Sequence, residues 1–231
     1  MLSNYSATII TGNTLEDFEN KWRSDTEKST RECMPSYYIN SNPKRFPAEM
    51  RCAIERWLRE DQRWGRGLGF IGETGVCKTR GLYCALQKAL TTPPKILRKS
   101  LGGDGKGTGY YSSVDTFAVV TGSEFTKLVL RSQNFSDETG STSDLNFLHR
   151  VGFLVLDDLG TGRLTDTVLE ELYGLIEYRT REAFPILFSS NFVGNELVER
   201  AANPKAMAAI LRRLVEFCDV VTISNQPTPL T

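Results

Sequence analysis

Residues 72–79 of this 231-residue chain read GETGVCKT. The stretch follows a short apolar run, LGFI at residues 68–71, and it precedes residues 78–90, where leucines recur every four positions as on one side of a helix. A glycine-rich turn between a strand and a helix directs backbone N–H groups and the helix N-terminus toward one concavity, which favours phosphate oxygens. The pattern therefore predicts a phosphate-binding P-loop.

One position departs from the usual P-loop pattern, because Cys77 precedes the lysine where glycine is normal. Lys78 is suited to the outer phosphates and Thr79 to Mg²⁺. A positive φ at Cys77 would cost about 1–3 kcal/mol, so we expect nucleotide binding to survive and hydrolysis to be weak. Nucleotide contacts are predicted for Gly72, Glu73, Thr74, Gly75, Val76, Cys77, Lys78, Thr79 and Arg80. The alternative is a glycine-rich turn that binds no ligand.

A second polar signal follows the most apolar segment, VGFLVL at residues 151–156. Asp157 and Asp158 end this predicted strand, and open α/β sheets bind ligands beyond the carboxyl ends of their strands. We expect Asp157 to hold Mg²⁺ and Asp158 to act as general base on the attacking water. The alternative is that the pair only caps the following loop. Asn191 ends the next strand and is a weaker candidate for contact with the γ-phosphate or the water.

Composition excludes several classes of protein. Lys and Arg number 28, as do Asp and Glu, so a chain-wide basic surface is absent. Five cysteines without CxxC spacing and a single His argue against a zinc site and favour reduced thiols. Neither a signal peptide nor a run of 18 apolar residues is present, so we expect a cytoplasmic protein without a membrane segment.

Strand and helix patterns alternate along the rest of the chain, which predicts an α/β fold with right-handed crossovers. Strands are predicted at residues 116–120, 185–189 and 219–223, and helices at residues 48–63, 123–131 (capped by Ser123), 166–179, 195–202 and 204–217. Extended or loop structure is predicted for residues 35–47, 92–109 and 136–143. The pattern of residues 14–32 predicts a helix. This helix is either a docked or loose arm of the domain or an element that binds a partner.

A local basic stretch is the only nucleic-acid signal in the sequence. Lys95, Arg98, Lys99 and Lys106 lie close to Tyr110 and Tyr111. Such residues suit phosphate contacts and base stacking on a single strand. A solvated, flexible loop explains them equally well.

Taken together, these segments resemble the AAA+ ATPases of the DnaC/IstB helicase-loader group. The likeness spans residues 35–223 and rests on MPSYYINSNPKRFP, GLGFIGETGVCKTR, FLVLDDLGTGRLT, LYGLIEYRT, ILFSSN and ILRRL. It implies a five-stranded parallel sheet of order 5-1-4-3-2 between helices, without a C-terminal lid domain. Residues 1–34 would be a short polar N-terminal extension and residues 35–231 the P-loop ATPase domain.

The resemblance also implies roles for individual residues. The P-loop and the Asp157–Asp158 pair match Walker A and Walker B, and Asn191 matches sensor 1. Arg213 matches an arginine finger that completes the ATP site of a neighbouring subunit, and Arg179 is a second inter-subunit candidate. From its position alone, Arg213 is better explained as a solvated cation near a helix C-terminus, where it favours the helix dipole. The implied cofactors are ATP and Mg²⁺.

The function implied by the resemblance is an ATP-binding and ATP-hydrolysing helicase loader in DNA replication. Its partners would be a replicative helicase, single-stranded DNA and further copies of the chain. An IstB-like transposition helper that serves a transposase shares every motif. A nucleotide-bound adaptor that does not hydrolyse ATP is a further alternative because of Cys77. A small-molecule P-loop kinase is disfavoured by SSN at residues 189–191 and RRL at residues 212–214.

Overall fold

The computed structural model describes residues 9–12, 15–59, 65–91, 98–101, 108–113, 117–133, 141–192 and 195–224. The strands are β1 (Ile9–Gly12), β2 (Gly67–Ile71), β3 (Arg98–Leu101), β4 (Thr108–Ser113), β5 (Phe117–Thr121), β6 (Phe153–Asp157), β7 (Ile186–Ser190) and β8 (Cys218–Thr222). The helices are α1 (Leu15–Cys33), α2 (Ser36–Ile39), α3 (Ala48–Arg59), α4 (Lys78–Thr91), α5 (Gly122–Ser132), α6 (Ser141–Arg150), α7 (Asp166–Arg181), α8 (Glu196–Glu199) and α9 (Pro204–Phe217), with a 3-10 turn at Pro43–Arg45.

A five-stranded parallel sheet forms the centre of the fold. Its order is β5-β6-β7-β2-β8, and every neighbouring pair is parallel. Counted along the chain, this is 2-3-4-1-5, so the predicted order 5-1-4-3-2 is confirmed. The carboxyl ends of β2, β6 and β7 meet at one edge, where open α/β sheets bind their ligands.

Each face of the sheet is covered by its own group of helices. In β7, Ile186 and Phe188 pack with α5–α9, whereas Leu187 packs on the other face with α3 and α4. Successive strand residues point to opposite faces, so a strand buried on both sides is apolar throughout. This explains the unbroken apolar run in β6, all of whose residues are buried.

The beginning of α5 differs from the sequence prediction. Thr121, and not Ser123, caps the helix, because its hydroxyl accepts a hydrogen bond from the Glu124 backbone N–H while the Glu124 carboxylate accepts one from the Thr121 N–H. This reciprocal capping box satisfies two amides that the helix leaves unpaired. The predicted cap was two residues too late because strand β5 runs directly into the helix.

Residues 92–109 are not a continuous loop, so that prediction was wrong. Strands β3 and β4 pair antiparallel, and β4 also pairs with β1, which gives a separate three-stranded sheet of order β1-β4-β3. The proline and glycine residues of this stretch lie outside residues 98–101. The composition of the stretch as a whole therefore indicated a loop, although residues 98–101 form a strand. Lys95 and Lys106 lie outside the described residues.

Two further predictions of irregular structure need correction. Residues 35–47 contain α2 and the 3-10 turn, which is capped by the Asn42 side chain, and are not fully extended. Helix α6 begins at Ser141, inside the predicted loop at residues 136–143. Residues 134–140 lie outside the described part of the chain.

The predicted N-terminal helix is present as α1 and is docked on the core. Trp22 is 1% exposed, and its indole Nε1 donates a hydrogen bond of 3.0 Å to the carbonyl of Leu90 at the end of α4. The Thr26 and Thr30 hydroxyls donate to carbonyls one turn earlier in α1 and are also buried. These contacts favour the docked-arm interpretation, and the boundary at residue 34 stays a prediction. No helix within the described ranges is long and apolar enough to cross a bilayer.

Arg179 is a buried structural residue, so its prediction as an inter-subunit contact was wrong. The side chain is 0% exposed, and burial lowers its pKa to about 9. Its guanidinium donates hydrogen bonds of 2.8–3.3 Å to five backbone carbonyls, those of Leu148, His149, Val151, Gly152 and Pro185. It thereby connects the chain before β6 to the chain before β7.

Replacing Arg179 with alanine is expected to lower the free energy of unfolding by about 3–5 kcal/mol, because buried carbonyls lose charge-assisted partners. The midpoint of urea denaturation measures the effect. Exposed Arg181 on the same helix is the matched control, and Arg181→Ala should change stability by no more than about 0.5 kcal/mol. Equal midpoints for the two variants would contradict the structural role of Arg179.

Candidate active site

The turn between β2 and α4 forms an open cradle at the edge of the sheet. Gly75 has φ 97°, and a Cβ built on it would meet no atom within 4 Å. Gly72 approaches β8 so closely that a Cβ there would lie 2.2 Å from the Ile223 carbonyl oxygen. Glycine is therefore required at position 72 for packing, while position 75 leaves the loop amides accessible to a ligand.

Lys78 begins α4 and folds back over the cradle. Its Nζ donates hydrogen bonds of 2.7 Å to the Gly72 carbonyl and 2.6 Å to the Glu73 carbonyl. Burial lowers the pKa of Lys78, whereas the nearby carboxylates of Asp158 and Asp157 raise it. The loop thus holds an ammonium group beside its amides, a combination that suits phosphate oxygens.

Thr79 and Asp157 come together across the site. The Thr79 Oγ1 donates to Asp157 Oδ1 at 3.1 Å, although the two residues are 78 positions apart. The Ser189 hydroxyl also donates to Asp157 Oδ1, at 2.5 Å. Burial raises the pKa of Asp157, and the hydrogen bonds from Ser189 and Thr79 oppose the shift.

The oxygen pair of Thr79 and Asp157 fits a magnesium ion. Mg²⁺ is usually held by one or two protein oxygens together with phosphate oxygens and water, so a dense cluster of ligands is not needed. No group of three or more His, Cys, Asp or Glu side chains that could hold a metal occurs within the described ranges. The donor set therefore matches a nucleotide-bound Mg²⁺ better than a metal held by protein ligands alone.

Asp158 and Asn191 form the second polar pair of the site. The Asn191 Nδ2 donates to Asp158 Oδ1 at 3.0 Å, and the Asp158 backbone N–H donates to the Ser189 hydroxyl at 2.9 Å. Asp158 has φ 51°, a left-handed conformation that Asp and Asn tolerate better than most residues. The end of β7 therefore fixes the orientation of this carboxylate.

A cavity of about 390 Å³ connects the P-loop with the Asp158–Asn191 pair. It is lined by Tyr37, Tyr38, Thr74, Gly75, Cys77, Lys78, Thr79, Arg80, Asp158 and Asn191. A second cavity, of about 500 Å³, shares Tyr37, Cys77 and Arg80 with the first and extends along residues 36–46. Together they provide a polar compartment next to the P-loop and an adjoining compartment of the volume that ligand sites commonly have.

Aromatic side chains stabilise the wall between the two cavities. Tyr38 stacks on Tyr83 of α4 with ring centroids 4.5 Å apart and an interplanar angle of 10°. The Arg80 guanidinium lies 4.3 Å from the centre of the Tyr37 ring, within the range of a cation–π contact. Burial and the Asp157 charge raise the pKa of Tyr83 to about 12.

Comparison with known proteins supports the architecture. No protein-family model matches the sequence, and no curated protein matches it significantly. The chain is similar to the structure of DnaI, with 19% identity and a TM-score of 0.58 over 82% of this chain and 94% of that chain. It is also similar to the DnaC helicase loader, with 20% identity and a TM-score of 0.57 over 82% and 99% of the two chains.

A third similar structure is the replication initiator DnaA bound to AMPPCP and single-stranded DNA. The identity is 13% and the TM-score 0.54, over 79% of this chain and 47% of that chain. The chain has the fold of these three proteins. The fold predicted from the sequence and its likeness to the helicase loaders are thereby confirmed.

Within this fold, Arg213 lies away from the residues that line the P-loop cavity of its own chain. It projects from α9 to α7, where its guanidinium pairs with the Glu177 carboxylate at 3.1 and 3.3 Å. The side chain is 39% exposed. Its role as an arginine finger stays a prediction, and that role requires a second copy of the chain.

Cys77 has a positive φ of 64°, the conformation for which a strain cost was expected. We expect Cys77→Gly to raise the free energy of unfolding by about 0.5–1 kcal/mol, because relief of the left-handed strain, about 1–2 kcal/mol, outweighs the opposing gain in flexibility of the unfolded chain. Chemical denaturation of the protein measures this change. Cys77→Ser is the matched control, because it keeps the strain and removes only the thiol. A Cys77→Gly protein no more stable than Cys77→Ser would contradict the strain argument.

Sequence reasoning missed two parts of the site. It did not select Ser189, whose hydroxyl bonds to both Asp157 and the Asp158 amide; a small hydroxyl within an otherwise apolar strand was the available signal. It also gave no role to Tyr37 and Tyr38, which reach the P-loop only because α2 packs on α4.

Proposed function

We propose that this protein is an ATP-dependent switch that acts in DNA replication as a loader of the replicative helicase. One observation carries the proposal: the Thr79 hydroxyl of the P-loop helix contacts the Asp157 carboxylate at the end of β6. In an AAA+ fold this contact joins a phosphate cradle to an acidic strand end. The similarity to DnaC and DnaI supports the choice of helicase loading over other AAA+ functions.

Different residues of the cradle would contact the phosphates, the Mg²⁺ ion and the nucleoside of ATP. The loop amides and Lys78 would bind the phosphates, and Lys78 would exchange its two carbonyl acceptors for phosphate oxygens. Thr79 and Asp157 would hold Mg²⁺, which when bound supplies charge that stabilises the phosphoryl oxygens. The adjoining cavity along residues 36–46 would accept the nucleoside, beside the Tyr37–Arg80 pair.

Hydrolysis would depend on the carboxylate of Asp158. We assign this carboxylate as the group that accepts the proton of the attacking water, because it lines the same cavity as Lys78 and Thr79. Asn191 holds Oδ1 of this carboxylate and leaves Oδ2 available for the water. Ser189 fixes the neighbouring Asp157 and so keeps the roles of the two carboxylates distinct.

Assembly would complete the site. Arg213 would leave Glu177 and enter the nucleotide site of an adjacent copy, where its charge would stabilise the transferred phosphoryl group. Because an exposed ion pair contributes little free energy, this exchange has a low cost. Activity should then increase with the concentration of the protein.

The test is ATP turnover per molecule measured over a range of protein concentrations, with and without single-stranded DNA. We expect turnover to rise with concentration, and Arg213→Ala to remove that rise with at least a tenfold loss. Exposed Arg212, which pairs with Glu216 on the same helix, is the control position, and Arg212→Ala should keep the rise. Turnover per molecule that is independent of concentration would contradict a shared site.

Loading of a helicase has its own test. We expect the protein to co-elute with the replicative helicase of its host in size-exclusion chromatography, in the presence of ATP and Mg²⁺. Co-elution with a transposase instead would favour the transposition-helper alternative, which uses the same nucleotide site.

A nucleotide-bound adaptor that does not hydrolyse ATP is the second candidate, and the strained Cys77 favours it. The two candidates differ in turnover of the parent protein and of Cys77→Gly. If the protein is a switch, the parent protein itself should hydrolyse ATP. An adaptor should bind ATP without turnover and gain hydrolysis only in Cys77→Gly.

A further inference from the structure

An aromatic side chain stands at the junction of the two cavities beside the P-loop and is largely uncovered. Tyr37 lines both the P-loop cavity and the adjoining cavity along residues 36–46. It is 65% exposed, although its ring has contacts with two neighbouring side chains. Most of its surface is therefore available to a ligand that occupies both cavities, as ligand sites commonly offer an aromatic wall.

The Tyr37 ring is held in place relative to the phosphate cradle. Its ring meets that of Tyr38 edge to face, with centroids 5.3 Å apart, and Tyr38 stacks on Tyr83 at 4.5 Å. The Arg80 guanidinium lies 4.3 Å from the centre of the Tyr37 ring. Tyr83 and Arg80 both belong to α4, the helix that begins with Lys78. The cradle and the ring thus rest on the same helix.

The chain segment that lines the adjoining cavity uses many of its hydrogen-bond groups internally. The backbone N–H groups of residues 38–41 and 44–46 all donate to oxygens of the same segment. The Asn40 amide nitrogen donates to a backbone carbonyl at 3.2 Å, and the Asn42 amide oxygen accepts from a backbone N–H at 3.0 Å. A group paired in this way has to break its own bond before it can pair with the edge of a base.

The charged groups of the adjoining cavity give adenine no advantage over guanine. Arg45 and Arg80 line this cavity, and no acidic residue is among its lining residues in the described part of the chain. A guanidinium donates hydrogen bonds and accepts none. Guanine offers it two acceptors, O6 and N7, whereas adenine offers N7 beside an amino group that itself donates.

We propose that the base of the bound nucleotide stacks on the Tyr37 ring, so that the site takes purine nucleoside triphosphates as a class and accepts GTP as well as ATP. Stacking uses the flat face of the base, which every base has and which is larger in a purine than in a pyrimidine. The inference rests on the proposed nucleotide site and adds to it the class of nucleotide. It assigns recognition to the face of the base and not to its edge.

Isothermal titration calorimetry of the full chain in Mg²⁺ with ATP, GTP, CTP and inorganic tripolyphosphate tests the proposal. For the parent protein, we expect the dissociation constants of ATP and GTP to agree within about tenfold, and that of CTP to be at least about fivefold larger. Tyr37→Ala should weaken the binding of ATP and GTP by about five- to 100-fold each. Its affinity for tripolyphosphate, which has no base, should equal that of the parent protein. Tyr37→Phe should bind all four ligands as the parent does, since the ring is kept.

Tyr173 of α7 provides the matched control, because it is also an exposed tyrosine and lies outside the residues that line the two cavities. Tyr173→Ala should bind all four ligands as the parent protein does. Tripolyphosphate binding also reports whether each variant keeps its fold and its cradle. If Tyr37→Ala loses it, Tyr37→Leu replaces that variant, because leucine keeps an apolar side chain without a ring, and the same weakening of ATP and GTP is expected.

Three results would overturn the stacking proposal while leaving the nucleotide site in place. The first is binding of GTP more than about tenfold weaker than that of ATP, because a site that reads the edge of a base rejects the wrong one strongly. The second is an ATP affinity that is unchanged in the variant without the ring. The third is a loss in Tyr37→Phe as large as that in Tyr37→Ala, which would assign the effect to the hydroxyl. A parent protein that binds neither ATP nor tripolyphosphate would refute the proposed nucleotide site itself.

Discussion

Lys78→Ala is expected to lower the affinity for ATP by about 100-fold and to reduce ATP turnover below detection, because a charge-assisted contact to phosphate is lost. In the structure the Lys78 ammonium is held at the P-loop by the carbonyls of Gly72 and Glu73. Lys78 and Arg80 are the two cationic residues that line the cavity beside Asp158 and Thr79. Lys78→Ala therefore removes one of these two positive charges. Isothermal titration calorimetry with ATP measures the change.

Lys88 provides the matched control for this experiment. It is an exposed lysine in the last turn of the same helix, three turns from the loop. Lys88→Ala should keep the ATP affinity of the parent protein. An ATP affinity of Lys78→Ala equal to that of Lys88→Ala would refute the assignment of the phosphate cradle.

Asp158→Asn is expected to reduce ATP turnover by about 10²–10⁴-fold with little change in ATP affinity, because the group proposed as general base loses its ability to accept a proton. Asparagine is the appropriate replacement, since it has the same size and also tolerates the left-handed backbone of this position, where φ is 51°. Turnover is measured as phosphate release at saturating ATP, and affinity by calorimetry.

Asp157, the other residue of the acidic pair, provides the control for Asp158. Asp157→Asn should weaken the Mg²⁺ dependence of ATP binding, because the Asp157 carboxylate contacts the Thr79 hydroxyl. The two substitutions thus separate binding from catalysis. Turnover retained by Asp158→Asn would assign the base elsewhere and would favour Asp158 as a residue of the loop alone.

The arrangement of the candidate nucleotide site was largely predictable from local sequence. The turn GETGVCKT and the pair Asp157–Asp158 each follow an apolar strand, and the topology brings parallel strand ends to one edge. The distance between Thr79 and Asp157 therefore follows from the fold class, even though 78 positions separate the two residues. The strand order itself came from the family resemblance and not from periodicity.

Contacts that depend on packing between distant segments were not predictable in this way. Arg179 has the sequence context of an exposed cation in the last turn of a helix, yet it is buried among the carbonyls of two chain connections. Ser189 appears as part of a turn signal, but β7 continues through it and turns its hydroxyl toward Asp157. In both cases the partner is backbone or a residue on another strand, which a local pattern does not reveal.

The hairpin of β3 and β4 shows a different limit. Its partner strand β1 lies about a hundred positions upstream, so the pairing leaves no local trace. Short strands among glycine and proline resemble loops in composition. The basic and aromatic residues were recognised, but their alignment across the sheet became visible only in the structure.

The most direct test of the central claim is calorimetric titration of the full chain with ATP in the presence of Mg²⁺ and then of EDTA. A cradle at residues 72–79 facing Asp157 predicts saturable binding of one ATP per chain that weakens by at least about tenfold when Mg²⁺ is removed. Absence of ATP binding at millimolar nucleotide, or an affinity unchanged by EDTA, would contradict the account.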